Sequence, residues 1–425
     1  MTEQGGAPVA PFVGWVGVVG ERIALLTDKA SEAEAFLRAY PETRVLDGRN
    51  RVVMPGLINT HCHVAMTLQR CYADDIPLME WLNDHIWPFE AEQTPEEVAL
   101  GAELGIVEML LGGVTSFVDM YWDEHRIAPV ADRLGIRALL CPSFIDGQME
   151  RNEADLKALL PLVNERVRAG IGPHAPYTVS REHLLHCKAL AERYDLPMTI
   201  HVAETTAEME SVQASTGMTP TRYLDSLGLL NDRLIAAHCV YVDEADRRTL
   251  QERGVKVAHN PSSNMKIASG VAPVECFVEE GICATIGTDG PCSNNDLDMW
   301  EEMRQTAFLA KVSSKNPLVL PAWEVLRMAT VQGAEAMGHA GELGVIREGA
   351  LADLITLDLR KPHLQPINDL VATLVYCGKA SDVETVIVNG RVVVENRQIA
   401  DLDLERLYRS VTEAVRRIKG AIARK

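Results

Sequence analysis

Between residues 57 and 290 short apolar runs recur, each closing on a polar residue and followed by a stretch with apolar positions three and four apart. The runs are GLINT before His61, VTSFV before Asp119, IRALLC, GIGP before His174, PMTI before His201, LIAA before His238, VKVA before His259 and ICATIGT before Asp289. Eight such strand–helix repeats predict an α/β chain whose parallel strands close into a (β/α)8 TIM barrel, with chemistry at the strands' C-terminal ends. A doubly wound open sheet is the alternative; the count of eight and the lack of a GxGxxG turn weigh against it. Seven of the eight runs end in His or Asp, a bias that packing alone does not require.

Outside this region the period changes. Residues 11–56 (VGWVGVVGERIALL, then RVLDGRNRVVMP) and 343–399 (LGVIREGALADLITLD, then VETVIVNGRVVVENRQI) alternate as strands do, with glycine at the turns. They predict a small β-sandwich-like domain assembled from both chain ends, residues 1–56 with 343–400, flanking a barrel of residues 57–342. Residues 401–425 read as a C-terminal helix whose Arg and Lys lie toward its end, where cations complement the helix dipole.

Composition removes several classes of function. A net charge of -19 argues against a nucleic-acid partner, because phosphate backbones are bound by clustered Lys and Arg. MTEQGGAPVAPF lacks a basic segment leading into an apolar one, and no apolar run is long enough to span a bilayer, so a cytoplasmic, membrane-free protein is expected. Nine cysteines, scattered singly with no CxxC pair, suit reduced thiols. A homodimer is the default oligomer.

Side chains two apart on a strand share a face, so His61 and His63 of HCH point together into the barrel mouth while Cys62 points away. His201 after the fifth strand and Asp289 after the eighth complete three nitrogens and one oxygen, a donor set for one divalent ion, zinc first among the candidates. An HxH pair alone is commonly surface or core histidine, and an Asp after a strand is commonly a helix cap. Their position at strand ends one, five and eight of one cylinder is what carries the metal reading.

The segments PGLINTHCH, HVAET, AHC, HNPSSNMK and GTDGPCSNN resemble the amidohydrolase superfamily over nearly the whole chain. HIWPFE, GPHAPYT and NPSSNMKIASGVAPV resemble its 5′-methylthioadenosine/S-adenosylhomocysteine deaminases most closely. The resemblance implies a single metal, because binuclear members carry a lysine where this chain has His174. It implies hydrolytic removal of the adenine amino group, with Glu204 carrying a proton to ring nitrogen N1 and then to the departing ammonia. It further implies that Asp289 binds the metal and takes a proton from water, and that His238 orients the attacking oxygen. By the same carry-over Glu90 holds the ribose 2′ and 3′ hydroxyls, His174 bonds a ring nitrogen, and Trp81 and Ser293 line the pocket. WLNDHIWPFE also reads as an amphipathic helix whose tryptophans simply pack. Members accepting a homocysteine tail are expected to place an arginine after strand three. Here Cys141, Pro142 and Ser143 stand there and only Arg151 is nearby, so methylthioadenosine is the expected preference. Deaminases or chlorohydrolases of free purine or triazine rings, and a non-catalytic assembly protein on the same fold, are the competing readings. The resembling enzymes have an additional strand ahead of VGWVGVVGERIALL, so a trimmed β-domain or an abbreviated start is expected.

Overall fold

The computed structural model describes residues 10–76 and 80–425, with the backbone of two short strands, Glu3–Gln4 and Ala7–Pro8. Its centre is two arcs of parallel strands. The first holds Leu57–Cys62, Val114–Tyr121, Arg137–Phe144 and a fourth strand in two pieces, Val167–Ala169 and Gly172–Pro173. The second holds Met198–Val202, Leu234–His238, Lys256–His259 and Ala284–Ile286. Parallel bridges Ile171–Met198 and Cys62–Asp289 join the arcs at both seams, so the eight predicted runs do close into a cylinder. The last strand is shorter than ICATIGT suggests, because the chain turns away after Ile286 to deliver Asp289 to the first strand.

Strands two and three, VTSFVDMY and RALLCPSF, are buried at every position, as expected where helices cover one face and the barrel interior the other. Ile58, Val118, Leu139, Cys141, Ile235 and Ala258 come from five different strands and share one apolar cluster, which they can reach only through the inside of the cylinder. The surrounding helices start and stop on local signals. Thr94 caps Pro95–Leu111 in a reciprocal box with Glu97, and proline opens that helix. Gly135 ends Glu124–Leu134 at φ 83, a conformation that costs glycine little.

Both chain ends contribute to one antiparallel sheet, Gln398–Ile399, Arg391–Glu395, Val383–Val388, Leu354–Asp358 and Arg51–Pro55 in that order. A hairpin, Trp15–Val19 with Arg22–Thr27, forms a second β layer over it, and Val16, Val18, Ile23, Leu26, Val53, Leu354 and Ile387 fill the space between. The alternation reading skipped one element: Ala30–Ala39 is a helix, in which only Ala33 is fully buried while the Phe36 ring lies against Gly17. Among the described residues no helix is long and apolar enough to cross a membrane. All nine cysteines are free thiols.

The β layers are bonded to the barrel by a buried ion pair. Arg137, at the start of strand three, donates to both oxygens of Asp353 at 3.1 and 3.2 Å, and the Asn389 N–H donates to the same carboxylate at 2.8 Å. Arg137 and Asp353 are 2% and 4% exposed, so losing one partner strands the other charge out of water. Asp353→Ala is expected to destabilise the chain by about 3–5 kcal/mol, read as a lower urea unfolding midpoint; an unchanged midpoint would show that the pair contributes nothing.

Candidate active site

Four of the predicted donors meet where the seams of the cylinder lie. The Asp289 N–H donates to the His61 carbonyl at 2.9 Å, which closes strand eight onto strand one and sets the two side chains together. At the opposite seam the His201 N–H donates to the His174 carbonyl at 3.1 Å. Gly287 permits the first approach: a Cβ there would stand 2.5 Å from Asn260 Oδ1 and 2.9 Å from the His61 Cβ. His238 and Asp289 take positive φ, 73 and 62, a sparsely populated region for residues with side chains. Both side chains turn off their strand ends toward the centre.

Asp289 Oδ1 lies 3.5 Å from His61 Nε2 and 3.2 Å from His63 Nε2, and His63 Nε2 lies 3.3 Å from His201 Nε2. Donors roughly 2.0–2.1 Å from a common tetrahedral ion stand about 3.4 Å apart, so these spacings fit one cation. The imidazoles are also oriented for it. His63 Nδ1–H donates to the Met120 carbonyl and His201 Nδ1–H to the His174 carbonyl, both at 2.6 Å, which leaves each Nε2 lone pair facing the centre. Both ring nitrogens of His61 are buried without a hydrogen bond. His61, His201, His238 and Asp289 form one set with donor atoms within 4.8 Å of each other. His63 fits the ion better than His238, whose Nε2 is 4.0 Å from Asp289 and 3.9 Å from Glu204.

The electrostatics favour positive charge at this point. Burial drives His61 down to about 4 against the pull of Asp289, and burial with the neighbouring imidazoles takes His201 well below its ordinary value. Burial also pulls on His63, but Asp289 and the Met120 carbonyl outweigh it and push the ring up to about 9. Asp289 stays well below the usual carboxylate range: burial opposes this, and the adjacent His61 and His63 rings prevail. Its Oδ2 accepts from Ser263 Oγ at 2.6 Å and Ser293 Oγ at 3.0 Å. His238 Nδ1–H donates to Asn264 Oδ1 at 2.8 Å, leaving Nε2 toward Glu204.

Above the donors opens a cavity of about 750 Å³ including its mouth, lined by His63, His174, Glu204, Glu90, Trp81 and Ser293 among others. The expected Trp81–Glu90 helix is present as a wide π-type turn, Trp81–Ile86, running into Trp87–Glu90. Trp81 Nε1–H donates to the Ala73 carbonyl at 2.9 Å, so its ring is fixed as wall. Glu90 accepts from the Tyr121 hydroxyl at 2.8 Å, and burial raises its carboxyl. His174 is held at about 4 by burial and by His63 and His61, with Nδ1 2.7 Å from Thr178 Oγ1. Burial raises Glu204 also. Glu204 precedes the helix Thr206–Thr216 and its cap Thr205, so it sits on a turn and not in the helix.

Arg151 is not part of that lining. Its guanidinium pairs with Asp123 at 3.0 Å and lies 5.6 Å from the centre of the Trp122 ring, which does line the cavity. Sequence reasoning missed Tyr121, Trp122, Tyr177, Ser263 and Asn264. The last two fall inside HNPSSNMK, where two polar residues at the start of a helix after strand seven were the available signal.

A closed β/α cylinder that gathers imidazoles and one aspartate at a single rim is the architecture of a metal-dependent hydrolase. The chain belongs to the amidohydrolase family, whose pattern matches residues 52–393. It is 44% identical over 402 residues to a 5-methylthioadenosine/S-adenosylhomocysteine deaminase of Pelotomaculum thermopropionicum, covering 93% of this chain and 91% of that protein. It is 42% identical over 409 residues to a 5′-deoxyadenosine deaminase of Methanothermobacter thermautotrophicus, covering 94% and 93%. Among solved structures, an adenosine deaminase from Xanthomonas campestris with bound zinc superposes with a TM-score of 0.90 at 36% identity, covering 95% of this chain and 93% of that one.

The geometry predicts one divalent ion per chain. In His61→Ala and His201→Ala the dialysed protein should hold almost none by atomic emission; full occupancy in both would remove these residues from the donor set.

Proposed function

We propose that the chain hydrolytically deaminates the adenine ring of 5′-modified nucleosides, 5′-methylthioadenosine foremost, releasing ammonia and the inosine analogue. The observation that carries this reading is one cavity holding a cation-binding donor set together with a buried, hydroxyl-bonded carboxylate, Glu90, able to accept two adjacent ribose hydroxyls. The deaminases to which the chain is similar act on nucleosides of this kind by name.

His61, His63, His201 and Asp289 would hold the ion, zinc by its nitrogen-rich donors, and the ion's part is to make water a nucleophile at neutral pH. Glu204 takes one proton from that water and gives it to ring nitrogen N1 as the oxygen adds to C6. His238, fixed by Asn264, presents Nε2 as the acceptor that aims the water. Asp289 takes the second proton, which passes by way of Glu204 to the amino group as the C6–N bond breaks. One water is consumed and one ammonia leaves. His174 serves the ring as a donor through Nε2–H, which requires the Thr178 hydroxyl to turn its proton from the Ala175 carbonyl, 3.3 Å away, to His174 Nδ1 at 2.7 Å.

Met66, Trp81, Leu82, Ile86 and Cys292 give the cavity an apolar wall suited to a thioether, and Arg151, turned to Asp123, offers no partner for a carboxylate tail. A cytoplasmic homodimer without nucleic acid completes the reading; the net charge of -19 supports the absence of nucleic acid and the nine singly scattered cysteines the compartment, and sedimentation would report the assembly.

Glu204→Gln should keep its ion and lose about 10²–10⁴ in kcat. Because Glu204 must start as the carboxylate and burial raises its pKa, turnover at constant metal content should fall as pH drops through a value above 4.5. A limb at or below that value, or near-normal kcat in the variant, would refute the role.

Ammonia release from methylthioadenosine, 5′-deoxyadenosine, adenosine, S-adenosylhomocysteine and guanine tests the substrate. The first is expected to give the highest kcat/KM, and Glu90→Ala to raise KM for the nucleosides alone. Preference for guanine, or an untouched KM, would favour a free-ring deaminase.

A further inference from the structure

The turn that carries Glu204 is held from behind by a second carboxylate. After strand five the chain passes through Ala203 at φ 52, a left-handed conformation that a residue with a Cβ adopts only under constraint. Glu208, in the first turn of helix Thr206–Thr216 and 2% exposed, supplies that constraint. Its Oε1 accepts the Ala203 N–H at 2.8 Å and its Oε2 accepts the Glu204 N–H, also at 2.8 Å. A glutamate at this helical position ordinarily reaches back to the N–H of the capping residue itself. Here the cap, Thr205, accepts the Glu208 N–H at 3.2 Å, while the Glu208 carboxylate reaches past it to the two preceding peptides. Those are the peptides on either side of Ala203, and they set where Glu204 leaves the backbone.

We propose that Glu208 is a positioning residue for the reaction: by gripping both peptides of the Ala203 turn it fixes the Glu204 carboxyl 3.9 Å from His238 Nε2, over the cation-binding donors. Two features separate this from ordinary helix capping. A cap needs one accepted N–H, whereas both Glu208 oxygens are committed to the loop outside the helix. Burial of that carboxylate is also costly: it pushes Glu208 up to about 7 against the pull of the Glu204 and Ala203 N–H groups. A glutamine would place an amide N–H against one of two backbone donors, and an aspartate, one methylene shorter, could not reach both.

The inference rests on the assignment of Glu204 as proton carrier, so the test is a double-mutant cycle on metal-loaded full-length protein. Glu208→Gln is expected to keep its ion, hold KM within about threefold and lower kcat roughly ten- to a hundredfold, the scale set by small displacements of a reacting group. In the Glu204→Gln background the same change should have almost no further effect on single-turnover rate, because the group being positioned is gone. A folded, metal-loaded Glu208→Gln with kcat within twofold of wild type would overturn the proposal, as would a loss that persists undiminished in the Glu204→Gln background. If Glu208→Gln fails to fold, Glu208→Asp must show the same kcat–KM split, and unchanged kcat there overturns it equally. Near-normal kcat in Glu204→Gln alone marks failure of the proton-carrier assignment instead.

Discussion

The hydrogen bond from the Asp289 N–H to the His61 carbonyl does two jobs with one contact, since it shuts the sheet between strands eight and one and sets two donor side chains 3.5 Å apart. The other seam repeats the arrangement, with the His174 carbonyl accepting both the backbone N–H and the ring Nδ1–H of His201. Donors that must converge within a few tenths of an ångström are therefore placed by backbone pairing, the least deformable part of the molecule. A site built on loops would need its own ordering interactions. This one takes its order from closure of the barrel, so a change that loosens either seam also moves a metal donor.

Convergence has an electrostatic consequence. Buried imidazoles and a carboxylate facing one point leave lone pairs without partners, as His61 Nε2 records, and a cation at that point satisfies them together. Behind this layer stands a second one of buried carboxylates bonded to backbone. Glu302 accepts the Ser262 N–H at 3.2 Å and the Asn294 amide at 2.9 Å, tying the loops after strands seven and eight, and burial raises it to about 8. Asp119 accepts the Val64 N–H at 2.7 Å and so fixes the turn after His63. Each stabilises a turn that a strand end alone would leave free.

The division between what the sequence discloses and what it hides follows from these layers. HCH at the end of an apolar run is legible because strand period places alternate side chains on one face, and His201, His238 and Asp289 are legible because they end runs of the same rhythm. Asp119 ends such a run too, yet it serves the backbone and not the ion, so run-ending polarity marks the rim without assigning roles. Ser263 and Asn264 reach Asp289 and His238 from a short helix whose direction depends on tertiary packing. Arg151 shows the limit most clearly: proximity in sequence could not say on which side of Trp122 its charge would lie. The helix Ala30–Ala39 does carry a short apolar stripe in Ala33, Phe36 and Leu37, but only Ala33 is fully buried, and the strand alternation on either side of it masked so brief a signal.

The substrate wall is built on a different principle from the metal centre. Glu90 and Trp81 belong to a helical segment between strand one and its covering helix, and no strand pairing holds it. The C-terminal helix Leu404–Ile422 does so instead. Its Ile418, fully buried, packs with Leu68 and Phe89, its Arg417 pairs with Glu97 and donates to the Glu92 carbonyl, and Lys419 lies 5.1 Å over the Tyr72 ring. Basic residues near the end of that helix thus bind neighbouring elements, a more specific duty than complementing a dipole. The wall leans on this helix and on the Tyr121 hydroxyl, whereas the donors lean on the barrel seams, so most of the wall is anchored apart from the metal donors. Such a fold can keep one hydrolytic centre fixed while the group it recognises above that centre changes.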